Sequence, residues 1–145
     1  MFSKSSVKPV VRFYEGKESL RAVYREITST HKTVWSVFAT ERYFKVFTEK
    51  DGKEFLENIR KNGGELCDLV LHSPDGIAYV KQKWGAPVAK SKLLPKDFAF
   101  DVDIMVAGDK LAFISFENMI AVVIENKGIA DLQMQFFRFL WKKIS

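Results

Sequence analysis

Residues 98–126 read FAFDVDIMVAGDKLAFISFENMIAVVIEN. Three apolar, β-rich runs are broken at Gly108-Asp109 and again around Glu117-Asn118. A Gly-Asp pair between two such runs predicts a hairpin, because glycine supplies the positive φ that a tight two-residue turn needs. Phe100, Val102 and Ile104 alternate with Asp101 and Asp103, so the two aspartates share one face of a strand. That face reads as solvated. The competing reading is a cation held by Asp101 and Asp103 with Asp109 or Glu117, but acidic side chains on a half-buried strand are more commonly hydrated, and neither metal nor cofactor is expected. No His, Lys or Cys stands where a catalytic partner of these carboxylates would be expected. A site-like segment without a complete site points to a sensor.

The rest of the composition sets the class. At 145 residues the chain is about one domain and can bury a core. Hydrophobic residues at 47% and 13 phenylalanines mark a folded chain. The single Cys67 excludes an intrachain disulfide and reads as a structural thiol in a reducing compartment. The sequence shows neither a membrane-length apolar run nor a signal-peptide core, so the expected location is cytoplasmic. Net charge is +5. Its one carboxylate-free basic stretch, KQKWGAPVAKSKLLPK, holds Lys81, Lys83, Lys90, Lys92 and Lys96. This stretch reads as a solvated loop in preference to a nucleic-acid or anion patch, since no zinc knuckle, recognition helix or aromatic ladder accompanies it.

Strands and helices alternate. Val10–Tyr14 is a short strand, Gly16 breaks it, and Leu20, Val23, Tyr24 and Ile27 make one helical face. Thr33–Ala39 is a second strand. A helix near Asp51 follows, with Asp51 and Glu54 spaced as a capping box and Gly63-Gly64 as its stop. Cys67–Leu71 is a third strand, and Ile77, Val80 and Trp84 mark a shorter helix. This order predicts an α/β fold of three layers, with a mixed, mostly parallel sheet between helices. Asn126 is placed to cap a last helix on which Ile129, Leu132, Phe136, Leu140 and Ile144 form one stripe. Met134, Phe137 and Trp141 broaden that stripe. With Phe136, Leu140 and Ile144 docking the helix, these three are left to form a homodimer interface. Residues 1–8 read as a tail or linker remnant, and 9–145 as a single domain.

Three blocks, VRFYEGKESLRAVY, LLPKDFAFDVDIMVAGDKLAFIS and IAVVIENKGIADLQMQFFRFLWKKI, resemble in order the effector domain of TrmB-type transcriptional regulators. That domain is itself similar to the phospholipase D fold. The resemblance runs from Val7 to Ile144 and implies a ligand-sensing, dimerising module that normally follows a winged helix. Eight residues before Pro9 leave no room for one, so the expectation is a stand-alone protein or an excised effector domain that does not itself bind DNA or membrane. The implied effector is a small molecule, with sugar-like compounds among the candidates. Phospholipase D-type chemistry needs His-x-Lys and an Asp five residues after the Lys. With Asp109 as that Asp, Val102 and Ile104 stand at the His and Lys positions. A register on Asp101 and Asp103 places carboxylates there, which would repel phosphate. A phosphodiesterase or nuclease relic, or a plain interaction domain, is the alternative to a non-catalytic effector module.

Ligands of such sheets lie beyond the carboxyl ends of the parallel strands. This places Tyr14, Glu15 and Gly16, Thr40 and Glu41, and His72 and Ser73 around an expected crevice. The family resemblance adds Ser115, Glu117 and Asn118. His72 beside Ser73 reads as turn chemistry and not as a base and its nucleophile, because adjacent residues there point apart.

Overall fold

The computed structural model of the chain describes residues 8–144. The tail expected at residues 1–8 lies outside them except for Lys8. The elements are β1 (Val10–Glu15), α1 (Lys17–Thr28), β2 (Thr33–Phe38), α2 (Thr40–Val46), α3 (Glu49–Lys61), β3 (Glu65–Val70), α4 (Pro74–Gln82), β4 (Ala89–Leu93), β5 (Asp103–Ala107), β6 (Lys110–Ser115), β7 (Ile120–Glu125) and α5 (Lys127–Lys143).

The sheet is mixed, with strand order β1-β7-β6-β5-β2-β3-β4. Among the described residues, only β2–β3 and β3–β4 pair in parallel; the other four pairings are antiparallel. The expectation of a mostly parallel sheet is therefore corrected. Tight turns join β5, β6 and β7 into a meander, and a tight turn permits only antiparallel neighbours. β1 then adds to the outer side of β7 instead of starting a parallel run. The hairpin itself stands as read: Ala107 pairs with Lys110, leaving Gly108 (φ 60°) and Asp109 as the two-residue loop.

Other expectations shift in detail. The cap of α3 is Thr48, whose hydroxyl accepts from the Asp51 amide while the Asp51 carboxylate accepts from the Thr48 amide, so Asp51 is the last residue of the box and not the first. Asn126 caps α5 as read, accepting from the Ile129 amide at 2.9 Å. The lysine-rich stretch is not a loop throughout, because Ala89–Leu93 forms the edge strand β4. Lys90 lies 3.9 Å from Glu65, and Lys92 donates at 3.0 Å to the carbonyls of Trp141 and Ile144, closing the last turn of α5.

The two faces of the sheet are covered unequally. On one, Leu20, Val23 and Ile27 of α1, Tyr43 of α2 and Phe47 at its end, Phe55 and Ile59 of α3 and Tyr79 of α4 pack against Val34, Met105, Ala112, Ile114 and Val123. On the other, α5 alone packs through Ala130 and Phe137, with Met134, Leu140, Trp141 and Ile144 beside them, on Val37, Leu69, Val106 and Leu111. The expected orientation of α5 is thus corrected. Phe137 is 3% exposed, Met134 and Trp141 face the sheet, and Trp35 lies edge-on to Trp141 at 5.7 Å. Ile129, Leu132, Phe136 and Phe139 point away. Both stripes have helical spacing, and small Ala130 lets its own stripe approach the sheet closely. No described helix is long and apolar enough to cross a membrane.

Candidate functional site

Following the pairings, β1, β6, β2, β3 and β4 all run one way, while β5 and β7 run the other. Tyr14, Glu15, Gly16, Thr40, Glu41, His72, Ser73, Ser115, Glu117 and Asn118 therefore all lie toward one end of the sheet. Strand order does not gather them into one crevice. β1 and β3 are five positions apart, about 24 Å at the usual strand spacing.

The β1–β7–β6 side holds Tyr14, whose hydroxyl accepts from Arg12, and Gly16, whose φ of 91° starts α1 while its amide donates to the Met119 carbonyl. Glu15, Glu117 and Asn118 are exposed, and the Ser115 hydroxyl accepts from Asn118. On the other side Ser73 caps α4, accepting from the Gly76 amide at 2.9 Å, and His72 is half-buried before it. Asp109 lies at the opposite end of β5 from Asp103, so the two cannot share an ion.

Thr40, Glu41 and Arg42 of α2 stand with Asp103 where hydrogen bonding is incomplete. Asp103 is 1% exposed, which corrects the solvated reading of that face: β5 begins at Asp103 and turns it beneath the four helices. One carboxylate oxygen accepts from Arg42 at 3.1 Å, and Oδ2 has no partner among the described residues. Burial pushes the Asp103 carboxyl up to about 7, with Arg42 and the Ala39 backbone amide pulling against it. Thr40 Oγ1, Glu41 Oε1 and Arg42 Nε are also buried and unpartnered among the described residues. An unmet buried donor or acceptor costs roughly 1–3 kcal/mol, so four on the start of α2 and its ion-pair partner on β5 call for an explanation.

A cavity of about 60 Å³ under α1–α4 is lined by Asp103 of these four. Tyr24, Phe38, Tyr43, Phe44, Phe55, Tyr79 and Trp84 form its aromatic wall, and Asp68 and Asp103 are its carboxylates. Asp68, at the centre of β3, accepts from Ser36 at 2.5 Å, Tyr79 at 3.2 Å and Ser91 at 3.5 Å. Burial raises its carboxyl to about 6, against the pull of those three hydroxyls. Outside the cavity an open cleft of about 550 Å³ lies along α2 and α4, walled by Thr40, Glu41, Lys45, Glu49, Asp75 and Gln82. Phe44, Tyr79 and Trp84 line both spaces.

Sequence reading reached Thr40 and Glu41 but missed Arg42, Phe44, Asp68, Tyr79 and Trp84. Asp68 carried a usable signal: a carboxylate inside the apolar run Leu66–Leu71 must be buried against donors. Arg42 and Phe44 carried none, because α2 itself was not anticipated.

With this geometry in view, solved structures that share the fold include the following two. TrmBL2, an archaeal chromatin protein described as showing a novel mode of DNA binding, superposes with a TM-score of 0.62 at 15% identity over 98% of this chain. The chain spans 53% of TrmBL2. Polyphosphate kinase from Porphyromonas gingivalis gives a TM-score of 0.61 at 10% identity, over 92% of this chain and 26% of the kinase. At such identities the likeness is one of fold. No family model and no curated protein matches the sequence.

Proposed function

We propose that this chain is a non-catalytic effector domain of a TrmB-like transcriptional regulator, with a phospholipase D-like fold, that binds a small molecule beside α2 and self-associates through α5. The observation that carries the ligand reading is the set of buried, unpartnered polar atoms on Thr40, Glu41, Arg42 and Asp103, of which Asp103 lines the cavity and Thr40 and Glu41 line the cleft outside it. A polar ligand would restore those hydrogen bonds. The fold shared with TrmBL2 across nearly the whole chain supports the regulator class. Apolar Val102 and Ile104 beside Asp103 favour binding over phosphoryl chemistry, which needs a nucleophile and a cation there.

Self-association rests on α5. Leu132 is 54% exposed, Phe136 59% and Phe139 64%, a run of large apolar side chains at helical spacing along the solvent side. Val11 and Phe13 of the edge strand β1 are exposed as well. A second copy packing helix to helix would bury this stripe, in the manner of an isologous interface.

A thermal-shift screen of small metabolites tests the first part. A ligand at 100 times its Kd stabilises by about 2.7 kcal/mol, a rise in Tm of several degrees. A broad library with no hit ends the effector reading. Sedimentation at micromolar concentration tests the second part, and a monomer there ends it.

A further inference from the structure

The cleft and the cavity beneath it have a sign. The protein is basic overall, at +5, yet the cleft wall sets Glu41, Glu49 and Asp75 against Lys45 alone. The cavity is lined by no basic side chain. Arg42 already compensates Asp103, so the charge left over is that of Asp68, which is 3% exposed and bonded by three hydroxyls without a basic partner among the described residues. Hydroxyls satisfy its lone pairs and leave its charge unmatched. Ring faces are negative, and Phe44, Tyr79 and Trp84 stand where cleft meets cavity.

Two side chains more than nine-tenths buried remain open to an occupant. Asp103, 1% exposed, lines the cavity with Oδ2 free, and Thr40, 7% exposed, lines the cleft with its hydroxyl free. Both oxygens can accept, and carboxylates and rings around them offer little to an anion.

We propose that this site binds a small protonated amine, with Phe44, Tyr79 and Trp84 around the ammonium, Asp68 as its counter-charge and Asp103 as the cavity's second carboxylate. The proposal rests on the effector reading and names its ligand class. Volume limits the occupant. A water needs roughly 10–15 Å³ of such space, so the cavity of about 60 Å³ takes four to six water-sized positions. That suits an alkylammonium of about five heavy atoms and is too small for a disaccharide. The Asp68 carboxyl, bonded by three hydroxyls and by no cation among the described residues, supplies the charge.

Calorimetry and thermal shift with butylammonium, 1-butanol, butyrate and maltose decide it. Butylammonium is expected to raise Tm, while 1-butanol and butyrate, of similar size, leave it unchanged. Asp68→Asn is expected to lose about tenfold or more in butylammonium affinity, the scale of a desolvated ion contact. If Asp68→Asn does not fold, Glu41→Gln on the half-exposed cleft wall carries the test, with a several-fold, salt-dependent loss. Equal binding of 1-butanol and butylammonium overturns the proposal, as does undiminished affinity in both variants. A shift with maltose or another neutral compound but not the ammonium overturns the amine assignment and leaves the effector reading standing. No shift with these or a broad library ends both.

Discussion

The two faces of the sheet bury different things. Under α1–α4 the interior closes over aromatic rings and also over Ser36, Asp68 and Asp103, with a cavity among them. Under α5 the interior is apolar throughout, and the surplus apolar surface lies outside, on the far side of the same helix. Burying a carboxylate costs several kcal/mol unless it is matched, whereas exposing a phenylalanine forfeits only a transfer term. The polar face is the expensive one to build, and it is where a bound ligand would change the protein most. The α5 face is cheap to leave open, and a partner surface is what would complete it.

The sharpest contrast is in packing. Phe47 is 1% exposed and meets the rings of Tyr24, Tyr43, Phe55 and Phe116 within about 6 Å, with the Arg21 guanidinium over its face. Phe47→Ala should lower unfolding free energy by about 3–5 kcal/mol, because four ring contacts are lost around a cavity that cannot collapse. Urea denaturation measures it. A loss below about 1 kcal/mol would show that the helical face is loosely packed and undo the contrast.

Next in size is the pH response of the polar face. Burial raises the Asp68 carboxyl from 3.8 to about 6, so between those values the folded chain keeps a proton that the unfolded chain releases. Stability from this group is complete below 3.8, falls as pH rises, and is gone above about 6, a change on the order of 3 kcal/mol. Asp103 acts with the same sign up to about 7. Asp51, held low by the Thr48 amide and Arg21, and Glu125, held low by Arg12, act oppositely in acid. The readout is therefore the difference between Asp68→Asn and the parent. The variant should gain on the parent from pH 4 to 6, by urea midpoints at each pH, and parallel curves would show that the Asp68 carboxyl titrates at its ordinary value, as a solvated group does.

Much of the frame was legible because it is written locally. The Gly108-Asp109 hairpin, the Asn126 cap and the α1 stripe each depend on a few neighbouring residues. Strand order was not, since nothing local tells β1 to join β7 instead of β2. The site suffered for the same reason. Thr40 and Glu41 follow a strand and could be named, but Asp68 and Asp103 reach one cavity from different strands, with Ser36 on the strand between them. Alternation even misled at Asp103, where polar-out was assumed and the helices lie on the polar side. On α5 the period is right and the phase ambiguous: two stripes with the same spacing differ only in whether Ala130 or Ile129 leads.

Smaller still is the tie between the lysine edge and α5. Lys92 donates to the Trp141 and Ile144 carbonyls and lies 4.5 Å from the Trp141 ring centre. Lys92→Met keeps the stem and removes the charge, so about 1 kcal/mol should be lost, the usual size for an end-of-helix cation with partly exposed contacts. No measurable loss by denaturation would mean that α5 is held by its apolar stripe alone.

The smallest effect on the folded monomer is expected where the outer face is most apolar. Phe136 is 59% exposed and belongs to neither core cluster, so Phe136→Ser should change monomer stability by no more than about 0.5 kcal/mol. Its effect on association should be far larger, because an exposed phenylalanine at the centre of a helical stripe is the kind of anchor whose truncation costs 2 kcal/mol or more in an interface. Sedimentation of the parent and of Phe136→Ser at equal concentration, beside their urea curves, separates the two. A shift toward monomer with unchanged unfolding makes α5 an interface. If Phe136→Ser instead unfolds the chain, the residue is part of a core and the two faces are less different than they look. If both species sediment as monomers, the open face has no copy of this chain as its cover.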